Sequence, residues 1–229
     1  MSDTRENLLK RVFKDYCRFF YYENQLALFE GRNFEVIYTF YDTLSTLRSQ
    51  DTTLKDWMEK VNTLTKIVNN FISCSNSIYP FLLQDENCCD LGNISYCNIS
   101  TQFNDSVSDY FDRFYITYSL VMRYKEAFII EELLIEFNNY MSHFVKYIVD
   151  DSISSGVSHL YRACLDGYKD IILENNIALL SDTILRDGFI KLRVDECSKI
   201  GIKEDKKLSI LEEYHQISTD ILTLYNCDE

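Results

Sequence analysis

The chain has 229 residues, of which 46% are hydrophobic and 14% aromatic, with only six glycines and one proline. Such a shortage of turn residues is atypical of β-sandwiches and β-barrels, so the composition predicts an all-α fold. The formal net charge of -13 argues against a general nucleic-acid binder, because phosphate neutralisation needs a basic face. An acidic, aromatic-rich composition instead suits an adaptor or scaffold that carries one local basic patch.

No apolar run reaches the roughly 18 residues that a membrane-spanning helix requires, so we expect no membrane span. The chain opens with the charged sequence MSDTRENLLKR, which does not resemble a signal peptide. Its eight cysteines show no regular spacing. We therefore expect a cytoplasmic protein with reduced thiols.

Apolar residues recur at three- and four-residue steps along most of the chain, which indicates helices. In chain order, the predicted helices cover residues 4–30, 34–48, 56–83, 106–149 (two helices), 157–173, 177–200 and 205–225. Residues 84–105 are rich in Asp, Asn, Ser and Cys, and are predicted to be a loop insertion. The pattern predicts one domain over residues 1–229, made of about eight or nine antiparallel helices.

Sequence motifs of catalysis are missing: there is no P-loop, GxGxxG, GxSxG or HExxH. The three histidines, His143, His159 and His215, lie far apart, although a metal site needs several donors in one place. Zinc at Cys88, Cys89 and Cys97 is disfavoured because their spacing is not that of a zinc ribbon or finger. We expect a protein that is not an enzyme and holds no cofactor.

A basic stripe lies on the first predicted helix, where Lys10, Lys14 and Arg18 follow one another at four-residue steps beside Arg11. In an acidic protein, such a stripe is a candidate site for a phosphoserine or phosphothreonine, whose oxygens accept charge-assisted hydrogen bonds from Lys and Arg. The alternative is an ordinary solvated helix face. Arg113, beside Phe114 and Tyr115, allows the same two interpretations.

Six segments resemble 14-3-3 proteins, in the same order along the chain. The most specific is QISTDILTLY at 216–225, similar without gaps to the family's last helix, QLLRDNLTLW. The others are NLLKRVFKD from Asn7 (family NLLSVAYKN), DWMEKV from Asp56 (YREKI), DYFDRFY from Asp109 (DYYRY), YKEAF from Tyr124 (YQEAF) and VDEC from Val194 (FDEA).

The resemblance implies a helical horseshoe with a concave groove that binds phosphopeptides of client proteins. It also implies a homodimer, or a heterodimer with other 14-3-3-like chains. The site residues carried over by motif, or placed beside the motif residues, are Lys14, Arg18, Arg113, Phe114, Tyr115 and Leu224. Lys14 would match the groove lysine and Arg113 the second-cluster arginine, while Leu224 would line the groove.

Three positions depart from the family pattern. Tyr21 stands in place of an arginine, Phe114 in place of the phosphate-binding tyrosine unless Tyr115 takes that role, and Ile221 in place of the groove asparagine. Arg18, one turn after Lys14, would compensate for the missing arginine. Matching residues 7–15 to the groove helix leaves no dimerising helices ahead of it. The first helix is then either the groove helix or the dimer element.

Two functions follow from these observations. The first is a phosphoserine/phosphothreonine-peptide-binding adaptor that regulates client proteins, with a divergent phosphate pocket. The alternative is a helical interaction or scaffold module that binds unphosphorylated partners through an apolar groove or helix face. The departures at Tyr21 and Ile221 favour the alternative.

Overall fold

A computed structural model describes residues 4–26, 34–49, 51–84, 105–124, 131–150, 156–198 and 205–226. In these ranges the regular structure consists of nine helices and no strand, which confirms the predicted all-α fold. They are α1 (Arg5–Leu26), α2 (Phe34–Arg48), α3 (Leu54–Ile78), α4 (Asp105–Tyr124), α5 (Glu131–Asp150), α6 (Val157–Glu174), α7 (Asn176–Ser181), α8 (Thr183–Ser198) and α9 (Asp205–Asn226). No helix in the described ranges has both the length and the apolar character needed to cross a bilayer.

The chain groups into two compact units: Met1–Ser108 with Met141–Ser155, and Asp109–Tyr140 with Gly156–Glu229. The single domain, the horseshoe and the groove stay predictions. Residues 85–104 of the predicted loop insertion at 84–105, with its three cysteines, lie outside the described ranges.

Helix α3 packs against both α1 and α2 in the first unit. Its bounds follow from local signals at each end. At the start, Thr53 Oγ1 accepts a hydrogen bond from Asp56 N (3.3 Å) and Asp56 Oδ2 accepts one from Thr53 N (2.8 Å), which forms a capping box. At the other end, Tyr79 leaves the helical conformation directly before Pro80. The helix therefore covers 54–78 where the periodicity predicts 56–83.

A glycine sets the spacing of helices in the second unit. A Cβ atom built on Gly167 of α6 would lie 2.7 Å from Leu133 Cδ1 on α5 and 2.8 Å from Thr117 Cγ2 on α4. Both distances are shorter than van der Waals contact. A side chain at this position would have to displace the Leu133 and Thr117 side chains, so glycine fits here without rearrangement.

Helices α6, α7 and α8 follow one another almost without interruption. Asn175 N donates to Ile171 O (3.3 Å) and Asp182 N donates to Ala178 O (3.1 Å), so helical hydrogen bonds reach both junctions. At the first junction the Asn175 side chain also donates to Ile171 O and thereby competes with the backbone. At the second, Asp182 Oδ1 accepts a hydrogen bond from Ile184 N at 2.8 Å. Asn175 separates α6 from α7. Asp182 divides the predicted 177–200 helix into α7 and α8.

Candidate functional site

The basic residues of α1 are largely engaged within the first unit. Lys10 Nζ lies 3.0 Å from a carboxylate oxygen of Glu6, one turn earlier on the same helix. Arg11 Nη2 donates to Asn62 Oδ1 (2.8 Å) and to Thr65 Oγ1 (3.3 Å), both on α3. These two cations stabilise α1 and its contact with α3, so they are not a freely available pair for an anion.

Arg18 is held at the same helix contact. Its Nη1 lies 3.2 Å from Oδ1 of the buried Asp15, and its Nη2 donates to Asn69 Oδ1 at 2.9 Å. Thr65 Oγ1 donates to the other Asp15 oxygen at 2.5 Å. A buried carboxylate needs such partners, because its desolvation is costly. Binding of a phosphate to Arg18 would therefore compete with the hydrogen bonds that Arg18 forms at the contact between α1 and α3.

Lys14 differs from its neighbours on α1. Its side chain is exposed, and it forms no hydrogen bond or ion pair with any residue of the described ranges. It lies one turn before Arg18 on the same helix. Of the basic residues on α1, it is the one most open to an external anion.

The residues taken from the DYFDRFY segment lie on α4 in the second unit. Arg113 Nη2 forms an ion pair of 3.2 Å with Glu212 Oε1 on α9, and the Glu212 side chain is 65% exposed. Phe114 is buried, and its ring stacks on Phe137 with centroids 4.6 Å apart. Tyr115 is half-buried. Phe114 therefore packs in the core, while Arg113 faces a solvated carboxylate.

Helix α9 carries the last predicted site residue. Leu224 is 42% exposed, which leaves it accessible to a ligand. Ile221, which stands where the family has a groove asparagine, is fully buried. Lys14 and Arg18 thus share one helix of the first unit, and Arg113, Phe114, Tyr115 and Leu224 lie in the second.

The four aliphatic side chains with the highest exposed fractions among the described residues of the second unit lie on α6, α7 and α8. Leu173, Ile177, Leu180 and Ile184 are 64%, 75%, 64% and 84% exposed, respectively. They lie four, three and four residues apart in the sequence and are distributed over three helices, with junctions at Asn175 and Asp182. We call these four residues the aliphatic stripe. Exposed apolar surface, where it is contiguous, marks interaction sites on proteins.

A polar cluster fixes the opposite side of α8. Glu196 accepts from Lys169 Nζ (2.8 Å), Arg193 Nη1 (2.7 Å) and the Tyr214 hydroxyl (2.5 Å), which ties α8 to α6 and α9. Burial alone would raise the pKa of Glu196, but the hydrogen bonds from Lys169 and Tyr214 hold it below its ordinary value. Anchored in this way, α8 turns Ile184 outwards.

Helical periodicity did not single out the aliphatic stripe, because α6 and α7 are apolar on more than one face. Ile171 and Ile172 are buried while the adjacent Leu173 is exposed, and the same holds for Leu179 and Leu180. The sequence does contain a signal for the stripe, because α6 and α7 carry more aliphatic residues than one buried helix face requires. The periodicity analysis did not use it.

Several titratable groups in the interior are held in their neutral form. Burial raises the pKa of the Cys164 thiol to about 12, which leaves it un-ionised at neutral pH. Burial, and then the charge of Arg113, lower the pKa of His215. Among the residues that the structure describes, no group of three or more His, Cys, Asp or Glu side chains is arranged to hold a metal ion.

Glu23 is a buried carboxylic acid on α1. It is 2% exposed, and neither of its oxygens has a hydrogen-bond partner among the described residues. Burial raises its pKa from 4.5 to about 8. The acid is therefore mostly protonated at neutral pH, because an uncompensated buried charge is costly.

The described part of the chain is an all-α protein with a basic α1, an exposed ion pair at Arg113 and an aliphatic stripe on α6–α8. No family model matches the sequence, and neither a curated protein nor a solved structure matches it. The likeness to 14-3-3 proteins accordingly stays a resemblance, carried by the six sequence segments.

Proposed function

We propose that this chain is a helical interaction module that binds unphosphorylated protein partners through the aliphatic stripe. The observation that carries the proposal is the exposure of four aliphatic side chains, between 64% and 84%. Helical partners are recognised through apolar anchors, and the stripe offers four exposed aliphatic side chains between residues 173 and 184. Burial of this surface against a partner supplies the driving force for binding.

The state of the basic residues also supports an apolar binding mode. Arg18 is bound to the buried Asp15. The interactions of Arg18 with Asp15 and Asn69 would have to break before its guanidinium group could bind a phosphate. By contrast, the aliphatic stripe already faces solvent and requires no rearrangement.

The second candidate is a phosphoserine/phosphothreonine-peptide-binding adaptor that acts as a dimer in the cytoplasm. Two observations favour it. Lys14 is exposed without a partner in the described ranges, and the Arg113 pair with the exposed Glu212 is of a kind that contributes little free energy. A phosphate, with up to two charges, would replace that carboxylate at Arg113.

One experiment separates the two candidates. A library of peptides in phosphorylated and unphosphorylated forms is titrated by fluorescence anisotropy against the wild-type chain and the variants Ile177→Ser, Lys14→Ala and Arg113→Ala. We expect both forms to bind equally, and Ile177→Ser to weaken binding by about tenfold. Binding restricted to phosphorylated peptides, lost in Arg113→Ala or Lys14→Ala and unchanged in Ile177→Ser, would refute the module and support the adaptor.

A further inference from the structure

Helix α8 is packed on one side and, within the described ranges, open on the other. Leu192 is buried, and Glu196 forms the hydrogen bonds to α6 and α9 given above. On the other side, a Cβ atom built on Gly188 would meet nothing within 4 Å. The aliphatic side chains that remain exposed on α8, by 84%, 54% and 62%, are Ile184, Ile190 and Val194. Because Thr183–Ser198 is one uninterrupted helix, these positions share a single helical register.

An acid and a base lie between two of these apolar residues. Steps of three, four and three residues connect four residues on one face of the helix: Ile184, Asp187, Lys191 and Val194. Asp187 is paired with the adjacent Arg186 at 3.2 Å, but the two side chains are 70% and 38% exposed, and such a pair contributes little free energy. Lys191 is exposed and forms no hydrogen bond or ion pair with any described residue. The face therefore carries an apolar residue, an acid, a base and a second apolar residue, in that order.

This order is complementary to itself when two copies of α8 run antiparallel. If Asp187 lies opposite Lys191 of a second copy, the same register sets Ile184 opposite Val194 of that copy, because both pairs are symmetric about the same position. Each pairing then occurs twice across a two-fold axis. Ile190, one residue from the centre of symmetry, comes close to its own copy. A parallel arrangement would instead set Asp187 opposite Asp187 and Lys191 opposite Lys191, and such facing of like charges is unfavourable.

We infer that two copies of the chain associate through the exposed face of α8, antiparallel, with Asp187 bound to Lys191 of the second copy. The ionic contacts set the register and disfavour the parallel arrangement, while burial of Ile184, Ile190 and Val194 supplies affinity. One 16-residue helix per chain forms a small contact, and small interfaces are typical of weak association. We therefore expect a reversible dimer with a micromolar Kd. This contact goes beyond the proposed function and does not depend on it, although Ile184 belongs to both surfaces.

Sedimentation velocity of two charge-reversal variants tests the pairing. The chains are measured at about 0.15 M salt, where the screening length is about 8 Å, because the net charge of -13 repels a second copy at low ionic strength. Asp187→Lys and Lys191→Asp each set like charges opposite one another twice, and we expect either change to raise the Kd at least about tenfold. An equimolar mixture of the two variants should form a heterodimer as tight as the wild-type dimer, because all facing charges then have opposite signs. The double variant should likewise restore the homodimer.

Three further variants test the apolar contact and serve as controls. Val194→Ser should raise the Kd by about tenfold, because it removes an apolar contact on both sides of the two-fold axis. Ile177→Ser, the change used in the peptide titration, lies on α7 and should leave the Kd of the dimer within about twofold. Glu59→Lys, the same reversal of charge at an exposed position of α3, should also leave it unchanged. Self-association and peptide binding are thereby measured independently.

Each contrary result has its own meaning. A wild-type chain that stays monomeric up to about 200 μM would overturn the dimer and leave the interaction module standing. A dimer that Asp187→Lys and Val194→Ser leave intact would place the contact on another surface and overturn the inference. Equal weakening by Glu59→Lys and Asp187→Lys, or a mixture of the two charge-reversal variants that stays monomeric, would show an effect of net charge alone and overturn the pairing of Asp187 with Lys191.

Discussion

Replacement of Glu23 by glutamine tests the buried acid of α1. The folded chain holds the Glu23 proton up to a pKa of about 8, whereas the ordinary value is 4.5. Unfolding therefore releases a proton at intermediate pH, and stability falls as pH rises. The slope is about 1.4 kcal/mol per pH unit, so the loss between pH 4 and pH 7 amounts to about 3 kcal/mol. Above pH 8 the loss levels off, because both states are then ionised.

Trp57 provides the assay, because it is the chain's single tryptophan and is buried on α3 of the first unit. Urea unfolding is followed by its fluorescence from pH 4 to pH 8. The uncharged amide of Glu23→Gln should remove the slope, so the difference in unfolding free energy between variant and wild type grows with pH. Glu59→Gln, the same change at an exposed position of α3, serves as the control. Parallel pH profiles for wild type and Glu23→Gln would refute the raised pKa.

Further predictions concern the packing and capping of helices. Gly167→Ala should lower the melting temperature, because overpacking against α4 and α5 costs about 1–3 kcal/mol. Gly188→Ala, the same change where a Cβ meets nothing within 4 Å, should raise it, since alanine in a helix is favoured by about 0.5–1 kcal/mol. Equal effects of the two changes would contradict the close approach at Gly167. Thr53→Ala should destabilise the first unit by about 1 kcal/mol through loss of the capping box, measured by urea unfolding with Trp57 fluorescence. An unchanged midpoint would show that the cap contributes nothing.

Local sequence signals located most helices, because helical periodicity and the residues at helix ends act over a few neighbours. The predicted helix 34–48 coincides with α2, and Pro80 does end α3 nearby. The break at Asp182 was missed, because the preference of its side chain for the backbone N–H of Ile184 outweighs a continuous apolar pattern. The resemblance to 14-3-3 proteins stays untested by the fold.

The candidate site could be predicted only in part. Residue type, spacing and the resemblance predicted Lys14, Arg18 and Arg113 as phosphate-binding residues, which stays a prediction. Their partners come from elsewhere in the chain: Asn69 lies on another helix than Arg18, and Glu212 is far in sequence from Arg113. Spacing along one helix cannot reveal which cation is neutralised in this way.

Composition and periodicity by themselves determined that this is an acidic, all-α chain, because each depends on residue content and on contacts within one helix. Tertiary structure alone decided which apolar residues remain outside. Ile221 is buried and Ile177 is exposed, although both are isoleucines on helices. Burial depends on the neighbours that a helix meets, and packing of α6 and α7 within the second unit leaves Leu173, Ile177 and Leu180 exposed to solvent.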